Sequence, residues 1–212
     1  KKFIAELIGT FIVVAFATGS VVIDTKYGGI FGLPLIAFAP FVGVAIGVYL
    51  FGRISMAHFN PAVTVGYYIT GHIKLRQLPK YFAAEIIGAL LASIFVKYVI
   101  GDYANLGANV PNYYFPVPVI FSVEVIATAL LMSVILVVVY NRGLKGFSGI
   151  VIGGIIGLDI LFFSVISGAS MNPARSLAPA LLSGTFGDLW LYWSATFIGS
   201  SIVALFLRRK FV

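Results

Sequence analysis

The chain contains no cysteine, so neither a disulfide framework nor thiol chemistry enters its account. Charge is also scarce. Only 10% of the 212 residues are charged, against roughly 25% in an ordinary soluble domain, and acidic side chains number 7 against 14 basic ones. The two histidines, His58 and His72, do not stand in a metal-ligand spacing, and no nucleophile-base constellation accompanies them. An enzyme, a metal site and a bound cofactor are therefore not expected. The opening segment lacks the charged start, short apolar stretch and small-residue cleavage site of a secretory signal, and its apolar run continues to Ile23. It reads as a retained membrane span.

What fills the chain instead is hydrocarbon. Hydrophobic residues make up 60%, and six apolar runs approach the roughly 20 residues that cross a bilayer core about 30 Å thick. They cover Phe3 to Ile23, Leu33 to Phe51, Tyr81 to Ile100, Val117 to Tyr140, Phe147 to Ser167 and Leu189 to Leu207. The formal charge of +7 does not indicate a nucleic-acid partner, because the basic residues cluster at span ends. Lys1, Lys2, Arg53, Lys74, Arg76, Lys80, Arg142, Lys145, Arg208, Arg209 and Lys210 all fall on one side of a six-span chain. Lys26 and Lys97 fall on the other. By the positive-inside rule both termini are expected in the cytoplasm of a multi-pass cell-membrane protein.

Two further segments, Asn60 to about Thr70 and Asn172 to about Leu182, look helical but are only about half a bilayer long at 1.5 Å per residue. Half-helices in a membrane need their exposed ends buried in protein or lining a cavity. Both begin with Asn-Pro-Ala, and Asn172 lies 112 positions after Asn60. The surroundings repeat as well. Ser55 to Ala62 parallels Ser167 to Ala174, Tyr81-Phe82, Ala84 and Gly88 parallel Tyr192-Trp193, Ala195 and Gly199, and Glu6 answers Glu124. The chain thus reads as one domain over 1–212, with a first repeat at 1–100, a connecting loop at 101–116 and a second repeat at 117–212. Three crossings per repeat invert the second copy and bring the half-helix ends together near the midplane.

Asparagine is a favoured N-cap, and proline suits the first helical position. Asn60-Pro61-Ala62 and Asn172-Pro173-Ala174 each therefore start a helix. With the amide oxygen capping, two N–H donors of each Asn remain to face a cavity. Each helix N-terminus adds about half a positive charge. Such a centre accepts water oxygen, repels cations and turns the hydrogens of passing waters outward, which interrupts proton hopping. Arg175 stands in the first turn of the second half-helix, against the dipole, at a cost of about 0.3–1 kcal/mol. The functional reading is a fixed positive charge at the pore constriction; the structural one is an ion pair or a side chain that snorkels outward.

The paired motifs Ala57-His58-Phe59-Asn60-Pro61-Ala62-Val63-Thr64 and Met171-Asn172-Pro173-Ala174-Arg175-Ser176 resemble those of the aquaporin, or major intrinsic protein, family along essentially the whole chain. The resemblance implies an all-α membrane protein of six transmembrane helices plus two re-entrant half-helices, and a homotetramer with one pore per subunit. It implies that Glu6 and Glu124 brace the re-entrant loops. It places the selectivity filter at Arg175, Ala169, Ile160 and, on the second span, Pro40 or a flanking phenylalanine such as Phe41. Water-only members usually have His at the place of Ile160 and Phe at that of Pro40, so the filter here is less polar, similar to that of archaeal aquaporins of the M type. Ser176 and the Tyr192-Trp193 pair resemble water channels and not glycerol channels. A passive water channel follows, with a facilitator of glycerol or other small neutral solutes as the alternative.

His58 is assigned to the vestibule beside Asn60, either packing the loop or meeting water. His72 reads as a loop histidine, and Asp159 as an intramembrane carboxylate with an internal partner. Gly43/Gly47 and Gly149/Gly153/Gly157 permit close helix approach. Tyr27, Tyr113, Tyr114, Trp190 and Tyr192 read as interfacial anchors. A coupled secondary transporter would share the inverted repeat but would need carboxylates near the site, and the sequence shows no acidic pair beside either turn. A membrane-junction role finds little surface in such short loops.

Overall fold

The computed structural model describes residues 1–210, apart from the side chains of Arg142 and Lys145; Phe211 and Val212, the end of the second repeat, lie outside the described residues. Its helices are α1 (Lys2–Lys26), α2 (Gly32–Ser55), α3 (Pro61–Ile69), α4 (Leu78–Phe95), a single turn α5 (Ala104–Gly107), α6 (Val117–Tyr140), α7 (Ser148–Ser167), α8 (Pro173–Ser183) and α9 (Leu189–Leu207). Among the described residues, six helices are long and apolar enough to cross a membrane. One of the six is α4, extended by a π-helical turn Val96–Ile100, which brings the expected third span to its full length. The half-helices α3 and α8 start and end within a residue or two of the expected bounds.

Turn chemistry sets these bounds. Helix α2 stops at Met56 and α7 at Gly168, both left-handed at the C-cap, the conformation that commonly closes a helix. Each loop then continues through left-handed residues, Ala57 and Phe59 in the first and Ala169 and Met171 in the second. A left-handed L-residue costs roughly 1–2 kcal/mol, so both loops need outside support.

Glycine lets the backbones meet where that support is assembled. A Cβ on Gly88 of α4 would lie 2.3 Å from the Leu7 carbonyl oxygen of α1, and one on Gly199 of α9 would lie 2.3 Å from that of Val125 on α6. The pairs α1–α4 and α6–α9 are thus built the same way. Gly149 and Gly153 seat Tyr49 and Phe41 along the α2–α7 seam, while Gly43 meets Phe16 and Gly47 meets the Phe59 ring.

The loop 101–116 does more than connect. Its α5 turn carries left-handed Asn105 and Leu106, Leu106 is fully buried, and Gly107 touches the Thr18 backbone so closely that a Cβ would come within 2.7 Å of its oxygen.

Candidate functional site: a pore between two half-helices

Asn60 and Asn172 are extended N-cap residues of α3 and α8. The Asn60 side-chain oxygen accepts from the Ala62 N–H at 2.9 Å. That of Asn172 accepts from the N–H groups of Ala174 at 3.0 Å and Arg175 at 3.3 Å. Each amide nitrogen then reaches across to the other loop: Asn60 Nδ2 donates to the Met171 carbonyl at 2.7 Å, and Asn172 Nδ2 to that of Phe59 at 2.9 Å. This corrects the expectation of two free donors per asparagine. A carbonyl of the facing loop takes one hydrogen, and one is left for the cavity that both residues line. The same two bonds tie the half-helices end to end.

Glu6 and Glu124 sit behind these loops, fully buried. The Glu6 carboxylate accepts from the backbone N–H of His58 at 3.0 Å and of Phe59 at 2.7 Å. Glu124 accepts from the N–H of Ser170 at 2.9 Å and of Met171 at 3.1 Å, and from the Ser167 hydroxyl at 2.7 Å. N–H groups that the left-handed loops leave without helical partners are thereby satisfied, as buried backbone donors must be. Tyr81 and Tyr192 complete the parallel by donating to the Ser55 and Ser167 carbonyls at 2.9 and 2.6 Å. Tyr192 is buried, 1% exposed, and is therefore not an interfacial anchor; its hydroxyl is committed inside the bundle. Tyr27, Tyr113, Tyr114 and Trp190 are exposed. The Tyr113 hydroxyl donates to Asp188, a bond that raises the phenol above its ordinary pKa.

The cavity at the paired asparagines holds about 60 Å³, enough for a few waters. Two further spaces share lining residues with it: a mouth of about 700 Å³ beside Tyr49, Arg53 and Met56, through Val48 and Ile152, and one of about 250 Å³ beside Leu33, Asn109 and Val110, through Ile160 and Arg175. Its walls are aliphatic: Val13 and Ala17 of α1, Val44 and Val48 of α2, Leu131 and Ile135 of α6, and Ile152 and Ile156 of α7. Polar groups come from the loops and half-helix starts, namely His58, Asn60, Ser170, Asn172 and Arg175.

Pro40, Ile160, Ala169 and Arg175 all line this waist. Of the second-span candidates Pro40 lines the cavity; the Phe41 ring packs on Gly153 of α7 instead, because the next residue on a helix points about a quarter-turn away. Proline has no N–H for the Ile36 carbonyl one turn earlier, and Ile36 lines the smaller mouth. Arg175 is 9% exposed. Neither an ion pair nor outward snorkelling describes it: Nη1 donates to the Gly107 carbonyl at 2.9 Å and to Asn109 Oδ1 at 2.7 Å. Asn109 also accepts from Ser176 Oγ at 3.0 Å. The loop 101–116 thus positions the arginine with neutral acceptors. Nothing in the sequence marked Asn109 or Gly107 for this.

His58 both packs and faces the cavity. Its ring lies between those of Tyr67 and Tyr81, with centroids at 4.5 and 4.3 Å, and Nδ1 is 2.7 Å from Thr64 Oγ1. Thr64 in turn donates to Glu85 Oε1 at 2.6 Å. Glu85, on α4, is fully buried. Two carboxylates, Glu6 and Glu85, therefore do stand behind the first turn, contrary to the sequence expectation, because α1 and α4 converge there from 79 positions apart. Neither lines the cavity described above. His72 sits just past α3, Nδ1 at 2.8 Å from Thr70 Oγ1, and partial burial lowers its pKa. Asp159 is buried, and its Oδ2 has no hydrogen-bond partner, so the expected internal bond is missing at that oxygen.

The profile of the Major intrinsic protein family matches residues 1–207. The chain belongs to the major intrinsic protein family. Among curated relatives of this family, Aquaporin NIP3-1 of Arabidopsis thaliana is 40% identical over 94% of this chain and 64% of its own length. Nodulin-26 of Glycine max is 35% identical over 94% of this chain and 74% of its own length. The chain thus spans between about two thirds and three quarters of these relatives. Among solved structures, the aquaglyceroporin from Plasmodium falciparum superposes with a TM-score of 0.89 at 25% identity, covering 98% of this chain and 95% of that one. A major intrinsic protein is a channel, not an enzyme, and with its six apolar helices this chain is a multi-pass membrane protein of that family.

Proposed function

We propose that this channel passes water and neutral solutes of about glycerol size and excludes ions and protons. The carrying observation is the reciprocal pair Asn60–Met171 and Asn172–Phe59, which aims two helix N-termini and two amide donors at one waist. Waters there accept from both sides and cannot pass a proton chain through the centre. Arg175 adds a positive charge against cations.

The solute range follows from the opposite wall. Pro40, Ile160 and Ala169 offer no side-chain hydrogen bond to replace those a dehydrating solute loses, whereas Arg175 offers donors on one side. A molecule with hydroxyls on one edge and carbon on the other suits that ring as well as water does. Similarity to an aquaglyceroporin supports this reading. Coupled transport finds no support at the site, since neither the Glu6 nor the Glu85 carboxylate lines the cavity. The basic face bearing Arg53 and Lys80 is placed in the cytoplasm of the cell membrane, with both termini there. Assembly is as a homotetramer, which cross-linking in mild detergent checks; monomers alone would count against it.

The test of solute range is stopped-flow light scattering on proteoliposomes, with water and glycerol gradients applied separately. Both fluxes should rise above protein-free vesicles with low activation energy and no response to an ion gradient. Flux that requires an ion gradient would replace the channel by a coupled carrier.

A further inference from the structure

Buried at the first re-entrant loop is a hydrogen-bonded row that the pore account leaves unused. It starts with His58, which lines the cavity and whose Nε2 is buried and without a partner. It passes from Nδ1 to Thr64 Oγ1 at 2.7 Å and on to Glu85 Oε1 at 2.6 Å. Beyond lies Glu85 Oε2, buried and also without a partner. The second half of the chain has no counterpart able to titrate. Ser170 and Ser176 stand where His58 and Thr64 do and bond to each other. Thr196 stands where Glu85 does and donates to its own helix at 2.7 Å.

We propose that His58, Thr64 and Glu85 form a blind-ended proton relay opening on the pore, so that a proton stored on Glu85 decides which hydrogen-bonding face His58 shows to the permeating molecule. The argument rests on counting donors. The Thr64 hydroxyl has one hydrogen and can give it to one neighbour only. With Glu85 ionised, Thr64 donates to the carboxylate, His58 donates from Nδ1 to Thr64, and Nε2 presents a bare lone pair to the cavity. With Glu85 protonated, the carboxyl donates to Thr64, Thr64 donates to Nδ1, and Nε2 carries the hydrogen.

The step between these states balances with one proton. A pore water or hydronium gives a proton to Nε2, the Nδ1 hydrogen passes to Thr64 oxygen, and the Thr64 hydrogen passes to Glu85 Oε1. Imidazole stays neutral throughout. The row then stops, so it stores a proton without conducting one across the protein. Tyr67 of α3 and Tyr81 of α4 clamp the ring, so tautomer exchange and not ring rotation is the available response. The other groups facing the row are Glu6, whose carboxylate is held by the His58 and Phe59 N–H groups, Lys2 at the start of α1, and His72. In the acceptor state the wall at His58 binds hydroxyl hydrogens. In the donor state it binds oxygen and joins Asn60, Asn172 and Arg175 in a pore lined by donors alone.

The inference depends on the pore reading only in taking the His58 cavity as the conduction path, and its test does not depend on transport. Protein labelled with ¹⁵N at histidine alone, in lipid nanodiscs, gives two ring systems, and His72→Gln assigns them. As the pH falls from about 8 towards about 4, the ordinary range of a glutamate carboxyl, His58 should pass from mainly Nδ1–H to mainly Nε2–H as Glu85 takes up its proton. Glu85→Gln and Thr64→Val should each abolish the exchange, and Thr64→Ser should restore it. A single His58 tautomer throughout the window in the unmodified protein would overturn the relay. So would formation of imidazolium in place of exchange, or an unchanged response in Glu85→Gln or Thr64→Val. If the exchange is absent while the vesicles still pass water, the relay fails and the channel stands; if the exchange occurs in protein that passes neither water nor glycerol, the channel reading fails.

Discussion

At the scale of single residues, the proposed filter sets opposite demands on its two sides. Arg175 supplies donors and charge, and Ile160 supplies a wall without hydrogen bonds. Ile160→His should narrow and polarise the ring and lower glycerol flux more than water flux, measured in matched proteoliposomes; an unchanged ratio would remove Ile160 from the filter. Asn109 holds Arg175 at the cavity wall, since its side-chain oxygen serves both the guanidinium and Ser176. Loss of a hydrogen bond to a charged group costs about 1.5–3 kcal/mol. Asn109→Ala should lower thermal stability by about that amount and alter the glycerol-to-water flux ratio. Loss of stability alone would make Asn109 a structural brace. The braces Glu6 and Glu124 answer to the same logic, because removing a carboxylate leaves buried N–H groups each costing about 1–3 kcal/mol.

At the scale of elements, close helix approach is specified by glycines whose neighbours are backbone and cannot yield. Gly88→Ala and Gly199→Ala each push a methyl to 2.3 Å from a carbonyl oxygen on the facing helix, so α1–α4 or α6–α9 must part. Each variant should lose thermal stability, by about 1–3 kcal/mol as overpacking usually costs. Gly154→Ala meets no heavy atom within 4 Å and should leave the melting temperature unchanged. Equal effects at Gly88 and Gly154 would contradict the packing account. The spans and half-helices were legible in the sequence because period, length and the Asn-Pro start are local properties. Asn109, Glu85 and the buried hydroxyl of Tyr192 were not. Their partners lie 66, 21 and 25 positions away, and no local pattern distinguishes a loop asparagine that clamps an arginine from one that meets water.

At the scale of the whole molecule, the two halves build one waist by symmetry and depart from it where function can reside. The first half sets Thr64 and Glu85 behind a cavity-lining His58, where the second has Ser176 and Thr196 behind a cavity-lining Ser170, and the second half carries Arg175 where the first has Val63. All seven acidic side chains are accounted for: Glu6, Glu85, Glu124 and Asp159 are buried among the helices, and Asp24, Asp102 and Asp188 lie at helix ends away from Arg53. The basic face is left without an acid. The central claim is that water passes a waist which protons cannot, through the joint action of the half-helix ends and Arg175. It is tested most directly by osmotic water flux and proton leak recorded on the same vesicles, for the unmodified protein and Arg175→Val. The account predicts rapid water flux without proton leak in the former, and retained water flux with an increased leak in the latter, the half-helix ends still holding part of the barrier. Proton leak that accompanies water flux in the unmodified protein would contradict it, as would an Arg175→Val variant that folds, loses water flux and leaks no more than before.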